Sequence, residues 1–208
     1  SPEILLLDEP LASLDMPFRG RILRHLKAIH HETGIPMVYV SHTLSEVMVL
    51  AQQALVLSDG KQVALDTPNK VLHQTPVLPL VDPAHLETLL EGRVVAHHPT
   101  SGTTEAVFGD FTLWLPTVDR EKGDPITVSV AASDVMVAAE APTGLSARNV
   151  LKATVSALNR VGDTVMVTAD AGSPILVEVT PEAVSALGLQ PGSEVYLVLK
   201  ASSIVVLG

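Results

Sequence analysis

The first seventy residues alternate long apolar runs with helical periodicity. Ile4-Leu5-Leu6-Leu7 is an unbroken apolar run that closes on Asp8-Glu9-Pro10. Such a run predicts a parallel strand buried on both faces. Residues 17–31 place Phe18, Ile22, Leu26 and Ile29 on one helical face, with Asp15 near the cap and Pro17 in the first turn. Gly34 and Pro36 break that helix. Residues 37–40 predict a second apolar strand, which ends in Ser41-His42. Thr43-Leu44-Ser45-Glu46 has capping-box spacing and opens another helix. Residues 54–58 and 61–65 read as strands joined at Asp59-Gly60, a hairpin signal, and Thr67-Pro68 starts a short helix through Leu72.

Residues 74–83 (QTPVLPLVDP) carry three prolines and predict a linker. Beyond it the period shortens to that of strands, and one pattern occurs twice. Segments 91–95, 111–115 and 123–135 correspond to 152–156, 174–179 and 192–204. Val94 and Val155 are 61 residues apart, whereas Ser133 and Ser202 are 69 apart. The excess matches an insertion at 180–187 (TPEAVSAL), which reads as a short capped helix. The expected organisation is an α/β part over 1–73, the linker 74–83, and two small five-stranded barrels in tandem, 84–140 and 144–208, of the kind related to OB-folds.

Composition narrows this picture. The chain has 208 residues, 47% hydrophobic but only 3% aromatic, so its cores must be aliphatic. No apolar run reaches the roughly 18 residues of a membrane span. There are no cysteines, which excludes disulfides and thiolate metal sites. A net charge of −10 argues against nucleic acid as partner and requires any anion site to be locally positive. His30-His31 and His97-His98 are adjacent pairs whose side chains diverge, so no zinc site is expected of them. Trp114 is expected to pack in the first barrel.

Asp8 and Glu9 lie at the C-terminal end of a predicted strand, and His42 follows the end of the next one. Open α/β sheets place their ligand crevice there, and strand–helix–strand units are parallel. An aspartate so placed can hold Mg²⁺ through water, and a neighbouring carboxylate can orient an attacking water. Leu5-Leu6-Leu7-Asp8-Glu9-Pro10, Ser13-Leu14-Asp15 and Ser41-His42 together resemble the ATP-binding subunits of ABC transporters. They match the Walker B strand, the D-loop and the switch histidine. The resemblance implies an α/β part of a P-loop ABC ATPase domain, with ATP and Mg²⁺ as cofactors. It implies Mg²⁺ coordination at Asp8, catalysis by Glu9, γ-phosphate sensing by His42, and contact across an ATPase dimer by Asp15. Thr43 stands where family members commonly have an acid. The chain contains neither G-x-x-x-x-G-K-[ST] nor an LSGGQ-like signature. It therefore reads as the C-terminal part of such a subunit, not expected to hydrolyse ATP by itself.

In the second half, Ser146-Ala147-Arg148-Asn149 precedes one predicted strand and Lys200-Ala201-Ser202-Ser203 precedes another. Each sets a hydroxyl beside a cation. If the first and last strands of the unit are neighbours, the two motifs meet and suit a tetrahedral oxyanion. On spacing alone, a turn cap at Ser146 and a simply exposed Lys200 explain the residues as well. SARNVLKATV followed by VYLVLKASSIVVL resembles the molybdate/tungstate-binding Mop domain, a branch of the TOBE family. The resemblance implies oxyanion ligands at Ser146, the backbone of Ala147 and Arg148, Lys200, the backbone of Ala201, and Ser202, in sites between paired units. In the first unit Ala131 replaces the lysine and Asp134 adds negative charge, so that copy is expected to be structural or to contribute only edge contacts. Joined to the ATPase resemblance, this implies the C-terminal part of the ATP-hydrolysing subunit of a molybdate or tungstate importer. Such a subunit would be a homodimer, bound to membrane permease subunits at the cytoplasmic membrane face, with a tail that feeds back on transport. The rivals are a sugar or polyamine importer subunit whose TOBE tail binds no molybdate, and a non-enzymatic oxyanion store.

Overall fold

β1 (Leu5–Asp8) and β2 (Met37–Val40) pair in parallel, from Leu5 opposite Met37 to Asp8 opposite Val40. They belong to a computed structural model that describes residues 3–14, 16–72, 74, 77, 80 and 86–207. The chain divides into two units, residues 1–80 and 81–207. In the first unit α1 (Met16–Thr33) connects β1 to β2, and α2 (Leu44–Leu50) follows. β3 (Ala54–Ser58) and β4 (Lys61–Asp66) form a hairpin, and α3 (Pro68–Leu72) packs against it. The hairpin turns at Asp59 and Gly60, both with positive φ (50° and 72°), as a tight two-residue turn requires.

Three expectations fail in this unit. β1 was expected to be buried on both faces, yet Leu6 is 69% exposed, and in β2 Val38 and Val40 are 48% and 51% exposed. Their sheet has only two strands, so one face is covered and alternate side chains are not. The helical face of Phe18, Ile22, Leu26 and Ile29 is likewise incompletely covered. Phe18 and Ile29 are exposed, and the buried residue of α1 is Leu23. The capping box is also not formed: Thr43 is the N-cap of α2 but its side chain makes no cap hydrogen bond. Glu46 turns inward instead and is 3% exposed.

The second unit is two five-stranded antiparallel sheets. The first repeat supplies β5 (Glu87–His98), β6 (Thr103–Phe108), β7 (Phe111–Pro116) and β8 (Pro125–Ala131). The second supplies β10 (Asn149–Val161), β11 (Thr164–Asp170), β12 (Pro174–Val179) and β13 (Glu194–Leu199). Between β12 and β13 lies α4 (Pro181–Ala186), whose N-cap Thr180 accepts a hydrogen bond from the Ala183 amide. Each repeat then makes a 3₁₀ turn, Ala132–Asp134 or Ala201–Ser203, and sends out one more strand. Those last strands are exchanged. β9 (Met136–Ala138) completes the sheet of the second repeat beside β13, and β14 (Ile204–Val206) completes that of the first beside β8. Met136 opposite Val198 and Val205 opposite Ser129 are the same pairing, both partners being shifted by 69 residues. The tandem barrels of the sequence reading are thus interlocked: neither sheet has its fifth strand without the other repeat.

The repeats also share their irregularities. Both long first strands bulge, between Val94 and Ala96 and between Val155 and Ala157. A β-bulge increases local twist and lets a strand curl. Just beyond, Gly123 and Gly192, with φ of 94° and 92°, donate their amides to Val94 and Val155. A single aliphatic core runs through both sheets, with Leu90, Leu115 and Val128 from one repeat and Leu151, Val177 and Leu197 from the other. Phe108 is its one fully buried aromatic among the described residues.

Phe108 fits because its neighbour on β5 is Gly92. A Cβ at Gly92 would lie 2.3 Å from the Val107 carbonyl oxygen and 2.6 Å from the Phe108 ring. The corresponding residues of the second repeat are Ala153 and Ala171, where a small residue replaces the ring and a methyl replaces the hydrogen. Gly92→Ala should therefore destabilise the β unit, by about 1–3 kcal/mol from overpacking. Denaturant unfolding checks this, and an unchanged midpoint contradicts the packing described.

Candidate functional site

In the first unit the parallel register carries Glu9 and His42 to the same strand ends. The Glu9 amide donates to the Val40 carbonyl (2.9 Å), which holds the two chain segments together just beyond the strands. Glu9 has φ 43°, left-handed and unusual for a side-chain-bearing residue. From there its Oε1 meets His42 Nδ1 at 2.8 Å. A carboxylate can only accept, so Nδ1 carries the proton of this bond. Both side chains are exposed, and so is Asp8, the last residue of β1. Asp15 lies outside the described residues.

Behind this pair sits a polar knot that the sequence reading missed. Glu46 Oε2 accepts from the Tyr39 hydroxyl (2.8 Å) and from Ser41 Oγ (2.7 Å). Its Oε1 is 3.7 Å from Arg19 Nη1. Arg19 donates from Nε to the Leu14 carbonyl (2.7 Å) and from Nη2 to the Ala12 carbonyl (3.3 Å). Ser41 Oγ in turn accepts from the Thr43 amide (3.0 Å). One buried carboxylate therefore ties the segment before Asp15 to the segment that carries His42. Burial first, and the Glu46 carboxylate second, push the Tyr39 hydroxyl far above the ordinary phenol range. The only sequence signal for the knot was an acid at the capping-box position of an apolar helix.

The second site follows from the register of β10 and β13. Asn149 pairs with Leu199, the last residue of β13. Ser146, Ala147 and Arg148 therefore run into β10 where Lys200, Ala201 and Ser202 leave β13, so the motifs adjoin. Ser146, Arg148, Lys200 and Ser202 are exposed, and Ala147 and Ala201 half-buried. Among the described residues neither Arg148 nor Lys200 makes an ion pair. The guanidinium of Arg148 instead lies over the Trp114 ring, 5.0 Å from its centroid. Trp114 also meets the His98 ring, with centroids 4.6 Å apart and planes at 41°.

Asn149, the last residue of the SARN motif, is the second group that spacing did not reveal as special. It is 2% exposed, and its Oδ1 accepts from the Trp114 amide (2.7 Å) while its Nδ2 donates to the Trp114 carbonyl (3.0 Å). β7 is an edge strand of its sheet, so the carboxamide occupies the hydrogen-bonding positions of a missing neighbour. The equivalent residue of the first repeat is Thr88, whose Oγ1 accepts from the amide of Leu176 on the edge strand β12 (2.8 Å).

The same equivalence places Glu87 where the second repeat has Arg148, and Ala131 where it has Lys200. Glu87 accepts a hydrogen bond from Ser129. Both cations of the second repeat are thus lost in the first, and one is replaced by an acid.

Residues 145–206 match the family model described as the TOBE domain. The chain is similar over nearly its whole length to curated molybdenum import ATP-binding proteins named ModC. Identity is 37% over 205 residues with that of Mesorhizobium japonicum, covering 98% of this chain and 55% of the relative. It is 34% over 204 residues with that of Yersinia pseudotuberculosis, covering 98% and 57%. With that of Escherichia coli K12 it is 34% over 207 residues, covering 98% and 58%. The chain thus spans little more than half the length of these relatives. Among solved structures, the cytoplasmic molybdate-binding protein ModG with molybdate bound is similar at a TM-score of 0.49 and 26% identity, covering 57% of this chain and 94% of that one.

Replacing Glu46 by alanine should leave Arg19, Tyr39 and Ser41 without their shared acceptor and cost the first unit about 2–3 kcal/mol. Native-state hydrogen exchange at the amides of residues 41–47 measures this. Unchanged protection would show that the knot does not hold these segments.

Proposed function

With residues 145–206 a TOBE domain and ModC proteins as relatives, we propose that this chain is the C-terminal part of the ATP-hydrolysing subunit of a molybdate or tungstate ABC importer. The observation that carries the proposal is the junction of the two motifs of the second repeat. Asn149 opposite Leu199 brings two cations and the hydroxyls of Ser146 and Ser202 to one end of the sheet, with no carboxylate paired to either cation among the described residues. In a chain of net charge −10 this is a local reversal of sign suited to a tetrahedral dianion. Ser146, Lys200 and Ser202 bind it through side chains, and Ala147, Arg148 and Ala201 through the backbone. The Arg148 guanidinium is engaged by Trp114, in keeping with its backbone role.

The first unit is then part of a P-loop ABC ATPase domain, and its chemistry belongs to the longer protein. Asp8 fits the Mg²⁺ role in chemical terms: it is an exposed carboxylate at the C-terminal end of a parallel strand, and no cation pairs with it among the described residues. When bound, the metal neutralises charge on the nucleotide phosphates. Glu9 accepts a proton or orients a water, and His42, which holds Glu9 through Nδ1, senses the γ-phosphate. Asp15 contacts the second subunit of a homodimer. The intact protein couples ATP hydrolysis to oxyanion uptake through permease subunits, as a peripheral protein on the cytoplasmic membrane face. Oxyanion in the tail inhibits uptake, which requires that the ligand bind one state of the dimer better than the other.

Calorimetry on this chain with molybdate, tungstate and sulfate tests the binding site. Heat with the first two supports it, and no heat with molybdate removes it. Lys200→Ala should weaken molybdate binding by about 1.5–3 kcal/mol, the worth of a hydrogen bond to a charged group. An unchanged affinity takes Lys200 out of the site. Transport by the intact complex that is indifferent to internal molybdate at saturating ATP would end the feedback reading.

A further inference from the structure

β7 is the element common to both halves of the proposed oxyanion site. Its Trp114 backbone is clasped by Asn149, which directly follows Ser146-Ala147-Arg148. The 3₁₀ turn Ala201–Ser203 packs against the same strand. The Trp114 ring carries the Arg148 guanidinium, and on the first repeat's side it meets the tilted ring of His98, whose Nε2 is 3.2 Å from Glu105 Oε2. Yet β7 belongs to the first repeat, whose own copy of the motif has lost its cations.

We propose that Trp114 is a positioning residue of the oxyanion site, by which the first repeat holds the Ser146–Arg148 loop of the second in its binding conformation. This rests on the oxyanion reading above. The physical ground is pre-organisation. The loop leaves a strand end with exposed side chains, and a ligand that had to order it would lose affinity to that ordering. The Asn149 clasp fixes the loop's C-terminal end on β7. The cation–π contact fixes the side chain of the residue before it. Together they set the direction in which the backbone of Ala147 and Arg148 points. The ring gives more than bulk, because its face attracts the guanidinium.

The test uses sodium molybdate and the whole chain. Trp114 is the sole tryptophan, so tryptophan emission reports on the surroundings of this ring. Emission should change on titration with the midpoint found by calorimetry. Trp114→Ala should weaken molybdate binding by roughly 5–30-fold, from lost cation–π energy and loop order. Trp114→Phe, which keeps an aromatic face, should recover most of that. Arg148→Met should weaken binding at least as much as Trp114→Ala, since it removes a cation of the site as well as the ring contact, and the double variant should lose no more than Arg148→Met alone, because Trp114 acts through Arg148. Melting temperatures identify a variant that fails to fold. If Trp114→Ala does, the Phe and Met variants and the wild-type emission still decide. Wild-type heat with unchanged emission and full affinity in these variants would overturn the role of Trp114 and leave the oxyanion site standing. No heat with the wild type would overturn the site itself, and the role with it.

Discussion

The exchange of one short strand between two repeats is the constraint on which the β unit depends. β9 and β14 are three residues each, too short to be stable apart from the sheet they join. Their value lies in what they connect. Each forces its repeat to fold against the other, and the shared aliphatic core closes only when both are in place. The polar clasps on β7 and β12 extend the same logic to the other edge of each sheet. Asn149 offers a donor and an acceptor and meets both groups of Trp114; Thr88 offers one hydroxyl and meets one. A buried carboxamide with neither partner would cost more than its hydrogen bonds contribute. The clasp therefore selects this packing against others as well as stabilising it.

The first unit is organised differently, around one buried acid rather than a continuous core. Glu46 draws Tyr39, Ser41 and Arg19 together, and Arg19 passes the constraint to the carbonyls of Ala12 and Leu14. The apolar faces of β1, β2 and α1 remain partly exposed, so packing alone does not define the loops at the strand ends. A charged knot that satisfies several groups at once can, because Tyr39, Ser41 and Arg19 share one buried carboxylate and its loss takes a partner from all three. The Glu9–His42 pair sits at the rim of this knot and inherits its order.

Much of this was legible in the chain. Period-two patterning gave the strands, Asp59-Gly60 gave a hairpin, and the extra eight residues of the second repeat gave α4, since each depends on local chemistry. Partner choice did not emerge, because alternation says which face of a strand is buried and not which strand lies beside it. Residues 136–138 and 204–206 read as the ends of their own barrels and are the ends of each other's. Glu46 was misread for a related reason. A capping box and an inward carboxylate share one spacing, and only the nearness of Tyr39 and Arg19 separates them. For the oxyanion motifs, spacing could bring the two together only on the condition that the first and last strands of the unit are neighbours; β14 joins β8 instead, and the motifs meet because β13, the strand before Lys200, pairs with β10. It gave no sign that Asn149 serves the opposite repeat.

The contrast between the repeats shows how duplication divides labour. Both copies keep the bulge, the positive-φ glycine, the 3₁₀ turn and the exchanged strand, which are the parts that build the scaffold. They differ in charge at two equivalent places: Arg148 against Glu87, and Lys200 against Ala131. At about 4 Å, like and unlike unit charges differ by several kcal/mol at the effective dielectric of a protein surface. Two such changes set the first copy apart, by charge, from the site proposed for the oxyanion in the second. The first repeat then retains only the requirement to hold its partner in shape. That requirement falls on β7, where Trp114 lends the second repeat a backbone to clasp and a ring to rest on. On the proposed reading a change at Trp114 alters the oxyanion site without touching the ligand, whereas β12, the equivalent strand, presents Leu176 to a repeat whose copy of the motif has neither cation.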